Sequence, residues 1–276
     1  MNKLTKSARD EKVRYLLEKT TPYTFDDLVT VVEILRSEGG CPWDMEQDHH
    51  SIRNDFIEET YEVIEAIDTE NPVLLREELG DVLLQVVFHA RIEEEKDVFG
   101  MPEVSNDICA KLIHRHPHVF GTVEVANTAE VLSNWDKIKG NEKHRDTKTD
   151  QLRAIPPMEP ALMRAQKVGK KAACFDFPDV ESVYAKLDEE IGEVKAAAAS
   201  GDAAAIEEEM GDLLLTVTSL ARKLGVKSEE ALYHATNKFI DRFARVEAEV
   251  LARGQQMDEL SMEELDAIWD SIKHQA

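Results

Sequence analysis

The sequence predicts an all-α protein built from two tandem repeats of one helical domain. Three observations carry this. Helical periodicity dominates the 276 residues, with 12 glycines, 9 prolines and no alternating apolar/polar run of useful length. The stretch ELGDVLLQVVFHAR (78–91) returns as EMGDLLLTVTSLAR (209–222), identical without gaps at 8 of 14 positions. The second short echo is WDKIK (135–139) against WDSIK (269–273). A duplicated chain of this length fits two domains of ordinary size.

Taken in order, residues 1–22 are polar and mildly basic without an apolar leader core, and read as a loosely docked extension. Thr24 and Asp27 cap a helix bearing Leu28, Val31, Val32 and Leu35, which stops at Gly39-Gly40. After GGCPWD (39–44), a second helix spans about 51–68 and ends at Asn71-Pro72. The third, about 73–95, holds the repeated stretch. A fourth runs over about 104–115 to Pro117, and a short fifth over 130–139 surrounds Trp135. The polar, then proline-rich segment 141–159 reads as a linker. The pattern restarts with helices over 160–174, 183–199, 203–224 and 228–253, and a capping box at Ser261 and Glu264 opens the last. The expected domains are therefore 23–140 and 160–276. Each is too small for a deep private core, so pairing between halves or between chains is expected, with a site in the helix bundle.

Composition narrows the function. With 56 acidic against 33 basic residues, the net charge of -23 excludes nucleic acid or an anionic membrane as the main partner. A phosphate ligand stays open, because a bound divalent cation inverts local charge. Three scattered cysteines without a CxxC point to free thiols in a reducing, cytoplasmic setting. No stretch approaches the ~18 apolar residues of a membrane span.

The chemistry lies in the acids. On a helical wheel the third helix is apolar over most of its circumference, and Glu78, Asp81, Gln85 and His89 form its one polar stripe. Buried carboxylates need a partner. The second helix offers Glu59 and Glu62 from EETYE (58–62), flanking its apolar side. The second half repeats the set as Glu190 and Glu193 from EEIGE (189–193), with Glu209 and Asp212. Four carboxylates without histidine make a hard oxygen site suited to Mg2+ or Mn2+. An isolated Glu-x-x-Glu is most often a solvated helix face. Here the acids abut apolar surface, the Glu78 helix is too apolar for a surface, and the register recurs.

Mg2+ on carboxylates ordinarily works with substrate phosphates. Lys111 with Arg115, and Lys238 with Arg242, are i, i+4 pairs, each on one helix face, that follow each acidic set and offer basic partners for phosphates; either pair alone would be ordinary surface charge. Trp135 and Trp269 could stack a base or cap the bundle, the cap being the simpler role. HRHPH (114–118) fits no standard zinc spacing and reads as a polar helix end.

These residues resemble the MazG family of nucleoside triphosphate pyrophosphohydrolases over about 25–275. The motifs that carry the resemblance are GCPWD (40–44), EETYE (58–62), REELGD (76–81), RHPHVF (115–120), PALMRAQK (160–167) and EEEMGD (207–212). The resemblance implies the all-α NTP pyrophosphohydrolase fold, a homodimer, and broad Mg2+-dependent hydrolysis of nucleoside triphosphates to monophosphate and diphosphate. It implies metal ligation by Glu190, Glu193, Glu209 and Asp212, and nucleotide contacts from Lys186 to Glu190, Lys238 to Arg242 and Trp269. The C-terminal copy is the active one in that family, although Glu59, Glu62, Glu78 and Asp81 preserve a second possible metal site here. His114 stands where the family usually carries a second basic residue. The expected mechanism is water attack on the α-phosphorus. Glu189 or a ligand neighbour orients the water, and Lys238 and Arg242 neutralise the leaving diphosphate. The rivals are a narrow dUTP- or dCTP-type pyrophosphatase and a non-catalytic helical interaction protein with a divalent-cation site.

Overall fold

The computed structural model describes residues 4–142 and 147–273. Among them the regular structure is entirely helical. The chain divides into two compact units, 1–139 and 140–276, each described by itself.

The first unit is built on the hairpin of α4 (Arg53–Asp68) and α5 (Pro72–Glu94). Asn71 makes the turn between them, its side chain accepting from the amides of Val73 and Leu74, with Pro72 in the first turn of α5. α2 (Phe25–Leu35) packs on α5. Val32 of α2 meets Val87, Phe88 and Ile92 of α5 and Ile52 of the loop before α4 in one buried cluster. Every 3.6 residues the apolar series of α2 returns to this seam, so the wheel argument holds for the α2-facing side of α5.

Two differences from the sequence expectation concern the N-terminal extension and the linker. Residues 6–18 are not a loose extension. They form α1 (Lys6–Glu18), capped by Thr5 and packed on α2. Lys12 pairs with Glu33, Lys19 with Asp27, and the Tyr23 hydroxyl donates to the Leu16 carbonyl at 3.2 Å. Polar ties rather than an apolar stripe dock this helix, so periodicity did not announce it. In the segment read as a linker, Thr147 and Asp150 form a capping box that opens a short helix, Lys148–Arg153, and Ile155 is buried.

The GGCPWD loop is held by Arg36. Its guanidinium pairs with Glu95 at 2.9 Å, donates to the Gln47 carbonyl at 3.0 Å and lies 5.0 Å from the Phe88 ring centroid. Gly39 has φ +77°, a left-handed conformation that glycine adopts without a side-chain clash. A short helix, α3 (Pro42–Glu46), closes the loop. Then follow α6 (Met101–Arg115), with Pro102 in its first turn, α7 (Pro117–Phe120) and α8 (Thr128–Glu142). Proline at the start of α6 begins the helix rather than breaking it, because its missing amide hydrogen is not needed there.

After the short α9 (Lys148–Arg153), the second unit repeats the scheme. α10 (Ala161–Lys171) packs on α12 (Ala203–Lys223), which forms a hairpin with α11 (Val180–Ser200). Gly201, in the left-handed conformation at φ 74°, ends α11. α13 (Ser228–Ala252) packs chiefly on α14 (Met262–Lys273), where Val246, Val250, Ile268 and Ile272 are buried together. The conserved register of the two hairpins extends to their closing arginines. Arg91 pairs with Glu94 at 2.9 Å, and Arg222 with Asp176 at 2.9 Å. Gln166, within PALMRAQK, donates to the Val226 carbonyl at 2.7 Å and accepts from the Ser228 amide, clamping the turn before α13.

Candidate functional site

Each hairpin brings acids of its two helices together. In the first unit Glu59 of α4 and Glu78 and Asp81 of α5 each offer a carboxylate oxygen, all within 4.8 Å of one another. Glu62 is solvent-exposed and lies beside Glu59 and Glu78. In the second unit Glu190 and Glu193 of α11 and Glu209 of α12 form the equivalent group within 4.8 Å. Asp212 is exposed and outside that group.

The cause is helical spacing. Glu59 and Glu62, like Glu190 and Glu193, are i, i+3 on the face of one helix that meets the next. A tight turn then sets Glu78, or Glu209, opposite. Sequence pattern therefore reads the contacts within a helix, while the turn geometry decides which acids of the next helix join them.

Burial gives these acids unusual electrostatics. Glu78 is nearly buried, and desolvation, followed by its hydrogen bond to Glu62, raises its pKa to about 7. Glu59 is raised by burial and by the charge of Asp81, and Glu193 chiefly by burial, which the Lys186 charge partly opposes. Lys186 pairs with Glu189 at 2.7 Å and with Glu190 at 2.8 Å, and these bonds raise the lysine above its ordinary value.

A hard divalent cation fits this donor set. All the converging atoms are carboxylate oxygens, the ligands Mg2+ and Mn2+ prefer. In the second unit, moreover, Glu190 is 3% exposed and its Oε2 is buried without a hydrogen-bond partner. An orphaned buried carboxylate oxygen is costly and asks for a cation.

Lys111, Lys238 and Arg242 form no ion pair with the acids among the described residues, and residues 231–240 of α13 are exposed on all sides. Arg115 is buried at the end of α6, its guanidinium 5.4 Å from the Trp135 ring centroid. Trp269 packs on Phe239, centroid to centroid 5.2 Å, beside the α13–α14 cluster. Both tryptophans thus take part in packing.

One polar cluster was not anticipated as a unit. His49 Nδ1 lies 2.7 Å from His89 Nδ1, and His49 Nε2 lies 2.6 Å from Glu93. His89 was visible as the far end of the α5 polar stripe, and Glu93 extends that stripe by i+4. Only the fold supplies His49, from the loop before α4. Burial, then the His49 charge, lowers the His89 pKa. In the second unit Leu220 occupies the His89 register, so this cluster belongs to the first hairpin alone.

The MazG nucleotide pyrophosphohydrolase domain family matches this chain twice, over residues 47–120 and 178–246. Those two spans contain the two acidic hairpins. The chain is 43% identical over 251 residues to the nucleoside triphosphate pyrophosphohydrolase/pyrophosphatase MazG of Thermotoga maritima, covering 90% of this chain and 95% of that protein. It is 44% identical over 261 residues to the nucleoside triphosphate pyrophosphohydrolase of Escherichia coli K12, covering 91% and 97%. A third relative, the nucleoside triphosphate pyrophosphohydrolase of Mycolicibacterium smegmatis, is 32% identical over 263 residues, covering 91% and 71%. With the domain matched at both hairpins and the likeness running nearly end to end, this chain belongs to the MazG nucleotide pyrophosphohydrolase family.

Proposed function

We propose that the protein is a Mg2+-dependent nucleoside triphosphate pyrophosphohydrolase that splits NTPs and dNTPs of several bases into the monophosphate and diphosphate. The reaction clears unwanted nucleotides in the cytoplasm. The observation that carries this reading is the three-acid group of α11 and α12, with the orphaned Glu190 oxygen inside it. Relatives that match nearly the whole chain bear the corresponding name.

Glu190, Glu193 and Glu209 would hold the cation, with Asp212, three residues on from Glu209 in α12, as a further carboxylate ligand. Glu59, Glu62, Glu78 and Asp81 would form a second such site. A bound Mg2+, or Mn2+ in its place, supplies Lewis-acid polarisation of phosphate oxygens and a template for the triphosphate. Glu189, exposed beside the group, orients a water and takes its proton as the oxygen attacks the α-phosphorus. The new P–O bond forms as the bond from the α-phosphorus to the bridging oxygen breaks, and diphosphate departs with the electron pair. Lys186, Lys238 and Arg242 neutralise the phosphates, and Trp269 borders the nucleotide.

We also propose a homodimer. Ile57, Tyr61 and Ile64 line one exposed face of α4, Leu79 and Leu83 are exposed on α5, and Phe239, Ile240 and Phe243 on α13. Faces this apolar are ordinarily covered. Gly80 and Gly211 sit in helix interiors, where glycine costs ~1 kcal/mol relative to alanine. A side chain at either would meet nothing within 4 Å in the single chain. A closely approaching second copy accounts for both observations.

The test is product analysis with ATP, dGTP, dUTP and dCTP in the presence of Mg2+, run in 18O-water. Monophosphate carrying the label, together with diphosphate, is the expected outcome for all four. Stepwise release of single phosphates would overturn the α-phosphorus reading, and turnover of dUTP or dCTP alone the broad one.

A further inference from the structure

Beside the two acidic groups, one position of the repeat carries opposite charge. Lys186 stands four residues before Glu190, and Asp55 stands four residues before Glu59, at the same register of the repeat. In the second unit the Lys186 ammonium reaches Glu190 at 2.8 Å, Glu189 at 2.7 Å and Glu193 at 3.9 Å. Two of those three acids belong to the converging group. In the first unit no lysine or arginine pairs with Glu59, Glu62, Glu78 or Asp81 among the described residues.

Resting on the metal reading above, we propose that Lys186 is a displaceable counter-ion of the C-terminal carboxylates. It competes with the divalent cation for their oxygens and moves to the triphosphate as the cation enters, so this group takes up its cation together with substrate. A cation must take its oxygens from the ammonium, and an ammonium released from them is a mobile point charge that seeks other anionic oxygens. The lysine side chain is one-third exposed, on a flexible four-carbon stem, so it can swing outward. A nucleoside triphosphate offers it the nearest replacement anions, and cation and substrate then bind cooperatively. The N-terminal group has no such competitor. It holds a bare cation more tightly but has no ammonium to hand to a substrate. Lys186 thereby acts as a positioning residue that couples metal entry to nucleotide entry.

The test uses Mn2+ as the probe, counted by the electron paramagnetic resonance of the free ion, on the full chain. Glu59→Gln and Glu78→Gln are introduced to silence the N-terminal group. In that background Lys186→Gln is expected to tighten Mn2+ binding about tenfold, equivalent to ~1.4 kcal/mol, while lowering kcat. A non-hydrolysable α,β-methylene nucleotide is expected to tighten Mn2+ binding with Lys186 present and to do so much less in Lys186→Gln. In the otherwise unaltered chain, Asp55→Lys is expected to weaken Mn2+ binding at the N-terminal group, which checks the idea at a second place. Unchanged or weaker Mn2+ binding in Lys186→Gln overturns the inference. If the chain bearing Lys186 binds no Mn2+ even with nucleotide, the metal reading itself falls, and this inference with it.

Discussion

Glu78 of α5 lies against Glu62 of α4 across the hairpin, carboxyl beside carboxyl. Burial first, and then that contact, push the Glu78 pKa up to about 7. The folded value lies above that of an unfolded chain, whose glutamates keep the ordinary value of about 4.3. The folded state therefore binds more protons between these two values. The metal-free protein should gain thermal stability as pH falls from 8 towards 5 and lose it as pH rises through about 7. Mg2+ should flatten that dependence by replacing the proton. Melting curves from pH 5 to 8, with Mg2+ and with EDTA, check this. Equal pH dependence under both conditions would count against cation binding at this hairpin.

Asp27 behaves in the opposite sense. The Lys19 ammonium, then the Thr24 amide, hold its carboxyl down at about 2. Its stabilising effect is complete above about 3.9, the ordinary aspartate value, and is lost as pH falls towards 2. Thr24→Ala removes the cap of α2 and should cost ~1 kcal/mol. Asp27→Asn should flatten the stability profile below pH 4 and loosen α1, read as faster amide exchange over residues 6–18.

The two hairpins can be separated by charge-neutral substitution. Glu193→Gln should lower kcat at least ~100-fold, the scale of losing one electrostatic contact to the reacting groups. Glu62→Gln should leave kcat within about threefold and change Mn2+ stoichiometry instead. Full activity in Glu193→Gln would transfer the chemistry to the first hairpin.

Gly211→Ala should not unfold the single chain. Helix propensity favours alanine by ~1 kcal/mol, and the added methyl meets no atom of the same chain. Dimer dissociation, followed by sedimentation, should become easier, because the methyl intrudes on the second copy. A dimer as tight as the parent would remove that glycine from the interface.

Hydrophobic spacing and the duplicated stretch 78–91/209–222 determined the all-helical class, the two repeats and the pairing of Glu-x-x-Glu with Glu-x-x-Asp. Those features are local: helical period alone puts i and i+3 side chains on one face. Tertiary structure decided what depends on distance between elements. It seated Asp81 with Glu59 and Glu78 but left Asp212 outside its group, and it buried Arg115 against Trp135 rather than beside the acids. It also brought His49 from a loop onto His89, and docked α1 through ion pairs that no periodic pattern signals. The sharpest instance is Lys186. Its position one turn before Glu190 was legible in the sequence. Its contacts with Glu189 and Glu190 are local to α11, at i+3 and i+4, whereas the burial of Glu190 and its meeting with Glu209 of the next helix required the fold.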